Sequence, residues 1–154
     1  MRFSTIIASV LGIGYFPVAS GTVMSIIAVP LAVVIARTGG GGVAVVVASL
    51  LAFVIGIWAC GDHVRATGRD DPSECVIDEL AGQWLACAGV LFAPASAAEI
   101  AVAFLLFRLF DILKPWPISA AERLPGGVGV MADDMLAGLA AGIIAFGVQY
   151  TRII

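Results

Sequence analysis

Long apolar runs constrain this chain more than any other feature. A helix that spans a bilayer needs about 20 mostly apolar residues. Four to five stretches approach that length: Thr22–Arg37, Val43–Gly61, Val76–Ala93, Ala97–Leu113 and Asp134–Arg152. Lipid offers the backbone no hydrogen-bonding partner but itself, so such runs fold as helices. Composition agrees, with 61% hydrophobic and 12% charged residues, where soluble domains carry about 25% charged. The expected fold class is therefore all-α, a polytopic integral membrane helical bundle with four to five transmembrane helices. Several runs are short, which implies tilt or neighbours that shield their ends. Pro30 is expected to kink the first, a distortion tolerated in membranes. A length of 154 residues fits one domain, 1–154.

The opening MRFSTIIASVLGIGYFPVAS pairs a charged start with an apolar run, as a cleaved signal peptide does. Gly12, Gly14 and Pro17 interrupt it, which points instead to an N-terminal interfacial or re-entrant helix. Linkers 38–42 and 93–97 read as short turns, whereas 61–74 and 114–133 are long and carry most of the charge. With five spans, Arg2, Arg65, Arg69, Lys114 and Arg123 share one face, opposite Arg37 and Arg152. Positive residues stay cytoplasmic, so that face is expected inside. The acids sort with it, and only Glu99 falls elsewhere. A net charge of −3 without a basic stripe gives no footprint for nucleic acid. Three cysteines beside or within apolar runs show neither a disulfide framework nor zinc spacing. The single histidine, His63, reads as a solvated loop residue.

Asp78, Glu79 and Asp111 lie within apolar segments. An ionisable residue at a membrane helix centre costs roughly 2.5–3.5 kcal/mol, so these acids must face one another, water or a cation. A simple pairing of Arg108 with Asp111 at i,i+3 would satisfy one of them. Asp133 and Asp134 open the last apolar run, where one carboxylate would suffice as an N-cap. Carboxylates without His or Cys partners suit a hard cation, Mg²⁺ or Mn²⁺. Gly82, Gly138 and Gly142 are spaced for close helix packing that brings the acid-bearing ends together. Thr22 reads as an N-cap of the first long helix. The Thr22 and Ser25 hydroxyls at that N-terminus also suit phosphate oxygens, with Arg108 and Lys114 supplying positive charge. Cys60 and Arg65 lack the spacing of a cysteine-nucleophile phosphatase, one histidine is too few for a histidine-nucleophile enzyme, and no D-x-D signature is present.

The runs DPSECVIDELAGQW (71–84), FRLFDILKPWPI (107–118) and GGVGVMADDMLAG (126–138) resemble bacterial phosphatidylglycerophosphatase A in order and spacing, across nearly the whole chain. The family's D-E pair matches Asp78 and Glu79. Its F-R-x-x-D-x-x-K-P-x-P matches Phe107, Arg108, Asp111, Lys114, Pro115 and Pro117, and its D-D-x-x-A-G matches Asp133, Asp134, Ala137 and Gly138. Its early P-G-T-x-G-S is kept only in part, with Ser20 for the Pro and Met24 for the second Gly. The resemblance implies a multi-pass protein of the bacterial inner (cytoplasmic) membrane with its active site on the cytoplasmic face. Its implied reaction is Mg²⁺-dependent hydrolysis of phosphatidylglycerophosphate to phosphatidylglycerol and phosphate.

On that footing Asp78, Glu79, Asp133 and Asp134 hold the metal. Arg108 and Lys114 hold phosphate with Thr22 and Ser25, and Asp78, Asp111 and Asp134 join Arg108 and Lys114 as catalytic residues. Water and an aspartate both remain open as the nucleophile. Two rivals differ in signature. A small transporter would spread its acids across the bilayer depth, whereas these cluster at one face. A CDP-alcohol transferase, another Mg²⁺-dependent lipid headgroup enzyme, would carry D-G-x-x-A-R, which is missing.

Overall fold

A computed structural model describes residues 2–152; Met1, Ile153 and Ile154, which the one-domain expectation includes, lie outside them. Among the described residues all regular structure is helical, as expected from the apolar runs. The elements are α1 (Phe3–Ala8), a 3₁₀ turn (Ile13–Tyr15), α2 (Ser20–Ile35), a π-type turn (Ala36–Gly40) and α3 (Gly41–Thr67). They continue with α4 (Ile77–Leu91), α5 (Ala97–Leu113), the short α6 (Ile118–Ala121) and α7 (Gly127–Tyr150). Two stretches, Ser20–Thr67 and Gly127–Tyr150, are long and apolar enough to cross a membrane by length and composition. The first is a hairpin. It reverses at Gly39 (φ 111°) and Gly41 (φ 54°), backbone conformations that glycine adopts without steric cost. Gly21 of α2 and Gly56 of α3 consequently both lie against the first residues of α4, at Glu79 and Ile77.

Alanines fill much of the buried interior, while many large apolar side chains are exposed. Ala28, Ala32, Ala59, Ala81, Ala86, Ala137 and Ala141 are buried, whereas Val43, Leu51, Val54, Leu105, Ile112 and Ile143 are exposed. Small residues let helix backbones approach, and the exposed large ones suit an apolar medium. α4 sits at the centre, packed by α2, α3, α5 and α7. A Cβ on Gly138 would fall onto the backbone of Gly82, and one on Gly89 onto that of Gly142, so α4 and α7 meet backbone to backbone. Interhelical hydrogen bonds tie α4 to its neighbours. Ser49 Oγ donates to the Ala81 carbonyl at 2.7 Å, Trp84 Nε1 to the Ala28 carbonyl at 3.0 Å, and Gln149 Nε2 to the Val90 carbonyl at 3.1 Å.

Several local expectations change. α3 continues to Thr67, so Asp62, His63 and Arg65 are helical and only residues 68–76 form a loop. His63 is 5% exposed rather than solvated, because α1 packs across it: Thr5 Oγ1 and His63 Nδ1 share a hydrogen bond of 3.1 Å. α1 has six residues, about 9 Å of helix, too short to cross a bilayer. α2, expected from Thr22 to Arg37, runs from Ser20 to Ile35 with Pro30 inside it. Its N-cap is Ala19, and Thr22 is its third residue. α7 starts at Gly127 rather than Asp134, which places Asp133 and Asp134 in its second turn instead of at a cap. The glycine-rich segment reads as a helix breaker, yet Gly127 and Gly129 are what let this turn lie on the backbone of α3 and on the Leu124 carbonyl. Glu99, the one acid at the far end, closes a capping box with Ser96 at the start of α5.

Candidate functional site

Four helix ends converge to build one polar cleft of about 880 Å³. α4 contributes Asp78 and Glu79 from its first turn, and α7 contributes Asp133 and Asp134 from its second. α5 brings Arg108 and Asp111, with Lys114 at its C-cap, and α2 brings Thr22. All eight line the cleft. Ser25 lies fully buried just behind, within 3.5 Å of Arg108 Nη1. Glycines permit the convergence, since a Cβ on Gly21 would collide with the Glu79 carboxylate and one on Gly82 with the Asp134 carbonyl.

At the base, one carboxylate oxygen from each of Asp78, Glu79 and Asp134 lies within 4.8 Å of the others. Asp78 is 8% exposed and Asp134 3%. Among the described residues, Glu79 Oε2, Asp133 Oδ1 and Asp134 Oδ2 are buried without a hydrogen-bond partner. Buried anions are costly unless paired or bound to a metal, and acids this close repel one another. A donor set made only of carboxylate oxygens, with free lone pairs at its centre, fits a hard divalent cation. Asp133 stands to one side of this trio, because its Oδ2 accepts from Lys114 Nζ at 2.7 Å.

Arg108 and Lys114 are each engaged. Arg108 Nη1 pairs with Asp111 Oδ2 at 2.6 Å, the i,i+3 contact foreseen from spacing, while Nη2 donates to Thr22 Oγ1 at 3.1 Å. Lys114 also donates to Glu122 Oε1 at 2.7 Å. Burial alone would lower the Lys114 pKa, but the Asp133 and Glu122 carboxylates outweigh it and hold the ammonium above its ordinary range. Glu122 carries no motif, and only the fold brings it here. Loop 68–76 walls one side through Asp70, Asp71 and Ser73. It is anchored by Ser20 Oγ donating to the Ser73 carbonyl at 3.1 Å, and by Glu74, which meets both His63 and Arg69. Burial alone would raise the Glu74 pKa, but hydrogen bonds from Arg69 and His63 reverse this and hold the carboxyl below its usual range.

Asp70, Asp71, Asp78, Glu79, Asp111, Glu122, Asp133 and Asp134 line the cleft against only Arg108, Lys114 and Arg123. Such a cleft repels a phosphate ester until a cation offsets its acids. With that charge offset, Arg108 and Lys114 stand where they could hold phosphate oxygens.

Comparison with known proteins agrees with this chemistry. The profile of the family Phosphatidylglycerophosphatase A matches residues 6–149. Phosphatidylglycerophosphatase A of Haemophilus influenzae is 39% identical over 102 residues, covering 65% of this chain and 61% of the relative. That of Escherichia coli K12 is 33% identical over 138 residues, covering 88% and 77%. A Bacteroides thetaiotaomicron protein, provisionally named a phosphatidylinositol-3-phosphatase, is 42% identical over 84 residues, covering 54% and 52%. The chain thus spans 52% and 61% of two of these relatives. No solved structure matches it. With its motifs and its match from residue 6 to residue 149, the chain belongs to the phosphatidylglycerophosphatase A family.

Proposed function

We propose that this protein is a Mg²⁺-dependent membrane lipid phosphatase that hydrolyses phosphatidylglycerophosphate to phosphatidylglycerol and inorganic phosphate. The observation that carries the reading is the close trio of buried Asp78, half-buried Glu79 and buried Asp134, with unpartnered buried oxygens on Glu79 and Asp134, beside Arg108 and Lys114. Family membership supports the substrate. Mg²⁺, or Mn²⁺ in its place, would be held by Asp78, Glu79 and Asp134, with Asp133 at their flank. A divalent ion there neutralises phosphate charge and makes water more acidic.

The remaining work falls to side chains. Arg108 turns its guanidinium from Asp111 to the non-bridging phosphate oxygens, and Lys114 approaches them from the Asp133 side; both stabilise charge that builds in the transition state. Asp111, released from Arg108, orients the attacking water and accepts its proton. The water oxygen bonds to phosphorus as the ester P–O bond breaks, and the proton taken by Asp111 passes to the departing oxygen, so phosphate is released and the lipid keeps a free hydroxyl. Thr22 and Ser25 hold Arg108 in the resting site and bind phosphate oxygens when it leaves.

In this reading the chain is one domain, and α2, α3, α4, α5 and α7 cross the inner membrane. α4 has 15 residues, about 22 Å against a hydrocarbon core of about 30 Å. Its shortness is tolerated because neighbours surround it, and in this reading the cleft lies at the cytoplasmic interface. The acyl chains stay in the bilayer while the headgroup enters the cleft. The test is phosphate release by purified protein in mild detergent, with phosphatidylglycerophosphate and phosphatidylinositol 3-phosphate as parallel substrates. Release from the first, dependent on Mg²⁺ and abolished by EDTA, is expected. Preference for the inositol lipid would transfer the assignment to the activity named for the Bacteroides relative, and no release from either would refute the enzyme reading.

A further inference from the structure

Gln83 is fully buried in α4, one turn below Glu79. Its Oε1 has no partner among the described residues, and its Nε2 donates only to the Cys87 thiol at 3.5 Å. A buried amide oxygen left unpaired bears its full desolvation penalty, and a membrane offers no water to relieve it. Such a group is kept where something else uses it.

Helical register shows where Gln83 looks. Successive residues step about 100° around the axis. Gly82 faces the Asp134 carbonyl and the Phe107 ring of α5, whereas Trp84 reaches the Ala28 carbonyl of α2. Gln83, between them, faces the seam where α5 and α2 flank α4. Arg108 crosses that same seam to Thr22 and Ser25, and its Nε is also buried without a partner. An unpaired acceptor and an unpaired donor thus share one buried seam.

Resting on the functional reading above, we infer that Gln83 is a positioning residue of the phosphate site, and that its side-chain carbonyl receives Arg108 Nε–H when the guanidinium turns to phosphate. The Nη groups of Arg108 bond Asp111, Thr22 and Ser25 in the resting site, and they leave these partners to reach phosphate. Nε is the remaining donor, and holding it fixes the plane of the guanidinium so that both Nη groups face the anion. A planar fork gains from this as a point charge would not.

The experiment measures binding of inorganic phosphate in the presence of Mg²⁺, and of Mg²⁺ alone, by calorimetry on the full chain in detergent. Gln83→Met fills the same volume without an acceptor. Its phosphate affinity is expected to fall about tenfold or more, the scale of a hydrogen bond to a charged group, while Mg²⁺ affinity holds. Its unliganded melting temperature should equal or exceed wild type, because an unpaired polar group has gone. Gln83→Glu keeps an acceptor at the same reach and should retain most of the phosphate affinity. If Gln83→Met does not fold, Gln83→Asn, one methylene too short, carries the same expectation for both ligands. Wild-type phosphate affinity in the shortened or apolar variant would overturn the role, as would a lower melting temperature with phosphate and Mg²⁺ binding lost together, which marks a packing residue. Wild-type protein that binds Mg²⁺ but no phosphate would overturn the functional reading itself, and the role of Gln83 with it.

Discussion

The carboxylate trio exists because α4 and α7 touch through backbone, so one methyl group placed between them should dismantle it. Gly138→Ala adds a Cβ that would lie 2.9 and 3.0 Å from the carbonyl carbon and Cα of Gly82, and nearer still to its oxygen. Ordinary carbon contacts begin at about 3.5 Å, so the helices must part by about 0.5–1 Å. Neither side can yield by a rotamer change, because both atoms in contact are backbone. Overpacking of this kind costs about 1–3 kcal/mol. Asp134 lies one turn before Gly138 and would be carried away from Asp78 and Glu79, and displacements near 1 Å cost a catalytic site about 100-fold. Gly147→Ala on the same helix has nothing within 4 Å and should gain about 0.5–1 kcal/mol from the lost backbone entropy. Thermal melts in detergent, together with phosphate release, would read both effects. If Gly138→Ala kept wild-type turnover and melting temperature while the backbone contact is as described, the argument from close packing to site geometry would be wrong.

Lys114→Met leaves Asp133 and Glu122 without their shared ammonium, and turnover should fall by roughly 2–4 kcal/mol of transition-state stabilisation. Equilibrium Mg²⁺ binding by that variant should persist, and a parallel loss of Mg²⁺ would contradict the division of labour. Asp62→Asn removes the carboxylate charge beside Ser4 at the C-terminal end of α3, outside the cleft lining, and activity should stay within a few-fold; a large loss would extend the site beyond the cleft. The Glu74 carboxyl is held below its ordinary value, so its contribution is present above the unfolded pKa of about 4.3 and disappears as pH falls through the lower folded value. Limited proteolysis within 68–76 should therefore rise in acid, and less so in Arg69→Ala, where the carboxylate has already lost one partner.

Much of the fold was legible because long apolar runs mark helices in the sequence. The apolar run Ala97–Leu113 matches α5 at both ends, and the structure shows why: the Ser96–Glu99 capping box opens the helix and Lys114 caps its end. The start of α7 was not legible, since Gly126, Gly127 and Gly129 look identical in sequence whether they break a helix or admit a neighbouring backbone. Only the position of α3 decides which. His63 was misjudged for a similar reason, because its burial depends on α1 folding back over it from 58 residues away. The acids at 78, 79, 111, 133 and 134 stood out as charges in apolar surroundings, which is a local signal. Glu122 and Gln83 gave none, being a surface-type acid in a linker and a neutral amide in a helix, and only tertiary packing brings them to the cleft and its seam.

The central claim is that Asp78, Glu79 and Asp134 bind one divalent cation on which phosphate release depends. Mn²⁺ binding followed by electron paramagnetic resonance, with phosphate release titrated against Mg²⁺ on the same preparations, tests it most directly. Wild type should bind Mn²⁺, Mg²⁺ should displace it, and Asp134→Asn should weaken binding and shift the Mg²⁺ dependence of turnover upward together. Asp134→Asn with wild-type Mn²⁺ affinity and unchanged turnover would show that the trio is not the metal centre.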